Sequence, residues 1–154
     1  MSGGRRFGLR LSDLVTGVRM DRELVTELAT VAHVQAHIAS SALHDVVLPS
    51  LPASQRMLPA SLARRLERYE FLDDGFLRDL ESFLHALERQ VAAGTHLEWE
   101  ADEHHVRGGY ETVARDPDVE ALAGALRELE LLQDTVLATL SGARALNAAS
   151  MLDG

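Results

Sequence analysis

The sequence predicts an all-α fold, an antiparallel bundle of four to five helices in a single domain. Apolar residues recur at helical spacing along almost the whole chain, and β-branched runs bounded by turn dipeptides are not evident. The prolines also fall at helix boundaries: Pro49, Pro52 and Pro59 cluster in PSLPASQRMLP, and Pro117 follows Asp116 as a first-turn proline follows its cap. A chain of 154 residues is long enough to bury one real core and too short for two ordinary domains.

Taken in order, residues 1–20 read as an N-terminal arm, rich in glycine and arginine to Leu11, in which SDLVTGV makes a short helical turn. The bundle is expected over residues 21–150. Asp21 caps a long first helix that stops at Leu48, because Pro49 cannot donate to the helical ladder. Residues 49–59 form a crossing loop. Leu62, Leu66, Tyr69 and Leu72 then make a stripe that resumes after DDG as Phe76, Leu80, Phe83, Leu84, Leu87 and Val91. This is one helix kinked at Gly75, or two helices with Asp73 or Asp74 capping the second.

Gly94 ends that helix, and Thr95-x-x-Glu98 has the form of a capping box opening another. Trp99, Val106, Tyr110 and Val113 keep its period, although Gly108 and Gly109 weaken it by roughly 1 kcal/mol each. The last helix starts at Pro117 and runs to near the end through Val119, Leu122, Leu126, Leu129, Val136, Leu140 and Leu146.

Composition excludes several chemistries. Without cysteine there are no disulfides, thiolate metal sites or thiol nucleophiles, and a cytoplasmic home is expected. All 15 basic residues are arginine, so a Schiff-base lysine and the lysine of a phosphate-binding loop are missing. No run approaches the ~18 apolar residues of a membrane span. The expectation is a soluble protein without membrane contact. A net charge of -9 argues against general nucleic-acid binding. That charge is uneven: residues 1–72 carry nine arginines against seven acids, and residues 73–154 carry six against seventeen. Arg64, Arg65 and Arg68 lie on the outer side of the Leu62–Leu66 stripe, where they face solvent or the acids of a neighbouring subunit.

The first helix holds the main candidate site. Leu24, Leu28, Val31, Ile38 and Ala42 form its apolar face, backed by Val25, Ala32, Ala39 and Val46. Beside it runs a second stripe, Thr26, Thr30, His33, His37, Ser40 and His44, polar but uncharged. Between Leu28 and His44 there is no formal charge, which argues for burial on more than one side. The favoured reading is a helix–helix or subunit contact with hydrogen-bonded imidazoles. The alternative is a metal site: His33 and His37, one turn apart, and His44 suit a transition-metal ion if neighbouring helices or EWEADEHH (98–105) add donors. The HExxH and ExxH metal motifs are absent. HDVVLPSLP is similar to the end of a ligand-bearing helix in hemerythrin-like bundles, but their histidine and glutamate spacing does not follow.

RDLESFLH, residues 78–85, sets an arginine and a histidine seven apart on one helical face with an acid after the arginine. It resembles the RX4-6H element of HEPN-type ribonucleases, all-helical proteins that pair two such elements across a dimer axis. The resemblance implies Arg78 holding phosphate, Asp79 orienting and His85 transferring a proton. It covers one helix, and the acidic C-terminal half sits badly with an RNA substrate. The function expected is therefore a non-catalytic interaction, assembly or regulatory subunit, without a cofactor, a homo-oligomer through its low-charge first helix and able to take a protein partner. The alternatives are the metal- or ligand-binding bundle and the metal-independent ribonuclease.

Overall fold

A computed structural model describes residues 22–101 and 109–153, with side chains described for all of these except 99–101, 109–111 and 149–153. The predicted arm over 1–20, the cap Asp21 and the donors beyond Ala101 lie outside the described residues. The chain is mostly helical, with four helices and one two-stranded sheet among those residues. Helix α1 is Arg22–Ala42, α2 is Met57–Glu67, α3 is Asp74–Ala93 and α4 is Pro117–Asp153; strands β1, Thr95–Ala101, and β2, Gly109–Arg115, lie between α3 and α4.

Helix α4, at 37 residues, is roughly 55 Å long at 1.5 Å per residue. Both α1 and α3 pack along it. The side of α1 that meets the core is Leu28, Ala32, Ala36 and Ala39, continued by Leu43 and Val47. Three alanines on the contact let two backbones approach closely, and they displace the larger neighbours outward. Ile38, expected on the apolar face, stands 44% exposed, and Val34 57%. Gln35 ties the two helices by donating to the Glu128 carbonyl and carboxylate, both at 2.9 Å.

Pro49 does not stop the first helix as expected. The chain widens into a π-turn over Leu43–Val47, where Leu48 N–H donates to the Leu43 carbonyl, and one further helical turn, Leu48–Ser50, takes Pro49. Val47 and Leu48 both stay in the right-handed helical region, so the path runs unbroken through the π-turn and Pro49, which has no N–H to donate, is taken into its last turn. Leu51, which precedes Pro52, turns extended at φ -100° and ψ 144°.

The stripe over residues 57–93 is two helices. Asp73 caps α3, accepting from Phe76 N–H at 2.7 Å, and Phe76, Leu80, Phe83, Leu84, Leu87 and Val91 are all buried as the periodicity predicts. At the end of α2, Tyr69 N–H donates to the Leu66 carbonyl at 3.3 Å and Glu70 N–H to the Arg65 carbonyl at 2.8 Å. This pair of bonds is a Schellman closure, and it puts Tyr69 at φ 56°. Glycine is the usual occupant of that left-handed position; a tyrosine there costs about 1–2 kcal/mol. Tyr69 and Leu72 thus leave the expected stripe, Tyr69 to the surface and Leu72 to a half-buried place against the core.

The helix expected from Thr95 is instead a β-hairpin, and this corrects the purely all-α reading. Strands β1 and β2 are antiparallel with Thr95 opposite Arg115 and Leu97 opposite Val113. The Thr95 hydroxyl donates back to the Val91 carbonyl at 2.7 Å, closing the helix behind it, where a capping box would accept from N–H groups ahead. Arg115 Nε then donates to the Thr95 hydroxyl at 2.8 Å and locks the base of the hairpin. Leu97 and Val113 form an exposed cross-strand pair. No helix among the described residues is long and apolar enough to cross a membrane.

Candidate interaction surface

Helix α1 buries one side and leaves Thr30, Val34, His37, Ile38 and Ser41 outward. None of these is a carboxylate or a guanidinium. Three polar side chains on and beside this strip, Thr26, Thr30 and His33, bond within the helix itself. Thr26 and Thr30 hydroxyls donate to the carbonyls of Arg22 and Thr26 at 2.8 and 2.9 Å. His33 Nδ1–H donates to the Ala29 carbonyl at 2.7 Å. A carbonyl can only accept, so Nδ1 is the donor of this bond. Donors already used inside their own helix lose little when water leaves them.

The three histidines are held by different neighbours. The His33 ring lies 5.2 Å from both the Tyr69 and Phe71 rings, edge-on to Phe71, and His37 meets Tyr69 edge-on at 6.1 Å. His44, carried round by the π-turn, pairs through Nε2 with the Glu67 carboxylate at the end of α2. His33 is half-buried, whereas His37 and His44 are exposed. Among the described residues no group of three or more histidines and carboxylates gathers around a point where a metal ion would sit.

Arg78 and His85 occupy one face of α3, as seven-residue spacing requires, and both are exposed. Arg78 borders a shallow cleft of about 400 Å³ with Asp74, Glu81 and Gln133. Asp79 turns to α2, accepting from Arg65 Nη2 at 2.8 Å, and the Arg65 guanidinium lies over the Phe76 ring at 5.4 Å. The acid of the RX4-6H element is therefore engaged in joining two helices.

Sequence reading found the histidine row and missed Tyr69 as its neighbour, and it placed Ile38 in the core. Nothing in YEFLDDG marks a left-handed tyrosine, since the position lacks the glycine that signals such a closure. The alanines at 32, 36 and 39 did carry the information about α1, because a close helix contact selects small side chains. Comparison with protein-family models, with curated proteins and with solved structures gave no match to this chain.

Proposed function

We propose that this chain is a non-catalytic interaction, assembly or regulatory subunit that self-associates through the outer face of α1. One observation carries the reading: from Thr30 to Ser41 the outer face offers Val34 and Ile38 to water without a carboxylate or a guanidinium. Covering these two side chains contributes on the order of 1–2 kcal/mol each. A second copy is the occupant that charge favours. Two-fold contacts set a patch against itself, so a charged patch would meet its own sign, while this strip is neutral on a chain of net charge -9. A partner protein would then bind the assembled form.

Light scattering and sedimentation over a concentration series test this. Wild type is expected to associate, and Val34→Asp with Ile38→Asp is expected to stay monomeric with unchanged far-UV circular dichroism. A wild-type protein still monomeric at millimolar concentration would remove the reading.

A further inference from the structure

We propose that the turn Arg68–Tyr69–Glu70 is the anchor of a two-fold interface between two copies of this chain, an inference that rests on the self-association reading and adds the residues that fix its partner and register. The argument starts from Tyr69. Its left-handed backbone, φ 56°, is required by the two closing bonds at the end of α2, yet those bonds use only main-chain atoms. Glycine would make both without strain. Nothing in the closure calls for an aromatic ring.

The ring does little inside the chain either. It is 56% exposed and rests on the half-buried His33 and the exposed His37. What the strained backbone achieves is placement, setting a large amphipathic ring at the border of the neutral strip of α1. Backbone strain of this kind persists where a site uses it, and tyrosine is among the residues that dominate protein interfaces.

The flanking charges name the occupant. Arg68 and Glu70 are both exposed, carry opposite signs on either side of Tyr69, and form no ion pair among the described residues. A two-fold axis beside Tyr69 brings Arg68 of one copy to Glu70 of its mate, and the reverse, giving two pairs from one turn. A partner of uniform charge would satisfy only one of the two. The two tyrosine rings then meet near the axis, with the imidazoles as their floor.

Two sets of variants, read by sedimentation and by thermal melting, test this. Tyr69→Gly, melted at dilutions where both proteins are monomeric, is expected to keep or raise the melting temperature, because strain is relieved, while weakening association at higher concentration roughly 30-fold, the loss set by one strong interface residue. Tyr69→Phe keeps association. Arg68→Glu and Glu70→Arg are each expected to weaken association, since each sets like charges together, and the double exchange restores it. Association unchanged in Tyr69→Gly, or a double exchange no better than the single ones, overturns the proposal and leaves self-association through α1 standing. A Tyr69→Gly protein that melts lower than wild type at those same dilutions makes the ring an internal clamp on α1 and also overturns it. A monomeric wild type removes the underlying reading and this one together.

Discussion

Gly94 sits where α3 gives way to β1, at φ -91° and ψ 5°, a conformation any residue adopts. What the site demands is absence of volume. A Cβ there would lie 2.6 and 2.9 Å from the two methyl carbons of Val119 and 3.3 Å from its Cβ, in the first turn of α4. Ordinary carbon contacts are about 3.5–4.0 Å, so Gly94→Ala requires the end of α3 and the start of α4 to separate by roughly 1 Å or Val119 to leave its rotamer. Overpacking of this size costs about 1–3 kcal/mol. The smaller unfolded-state freedom of alanine offsets up to about 1 kcal/mol, leaving a net loss of roughly 1–2 kcal/mol. In a chain of this size that lowers the melting temperature by about 2–8 °C. Urea titration followed by circular dichroism measures it, and Val119→Ala provides the control. With both methyl carbons gone, the nearest remaining approach is 3.3 Å, so Gly94→Ala should cost little in that background. An equal penalty in both backgrounds, or none in wild type, would refute the packing described for this junction.

Two further substitutions probe the helices. Asp73→Ala deletes the side-chain acceptor for Phe76 N–H and should lower unfolding free energy by about 1 kcal/mol, with Asp73→Asn recovering most of it in the same titration. Phe76→Ala empties a fully buried site in contact with Phe71, and a loss of about 3–5 kcal/mol is expected, read as a shift of the urea midpoint at unchanged slope.

The helices were legible where one periodicity ran between two chemical stops. In α3, Asp73 and Gly94 bracket six buried apolar residues, and in α4 the pair Asp116 and Pro117 fixes the start. The hairpin was misread because its signals serve two structures. Thr95 and Glu98 match a capping box, yet the hydroxyl of Thr95 is spent on Val91 behind it. THLEWEA alternates apolar and polar residues with the period of a strand, and that signal lost to a looser helical spacing through Val113. For the candidate surface, the spacing of His33, His37 and His44 could be read directly. Their surroundings could not, because Tyr69, Phe71 and Glu67 reach them only through a π-turn and a left-handed residue, and neither is encoded by a local pattern. The side of α1 that faces outward was likewise decided by tertiary contact, with three alanines against α4 outweighing the greater hydrophobicity of Ile38.

Thr95 and Arg115 stand opposite each other at the foot of the hairpin, so the chain departs and returns through points about 5 Å apart. A segment with a shared doorway imposes almost no geometric demand on what it connects. Helices α3 and α4 would keep their relation if a stub of a few residues replaced everything between Thr95 and Arg115. The same doorway admits a longer, shorter or wholly different insert. The hairpin is therefore the place where this protein can acquire new contacts without renegotiating its core.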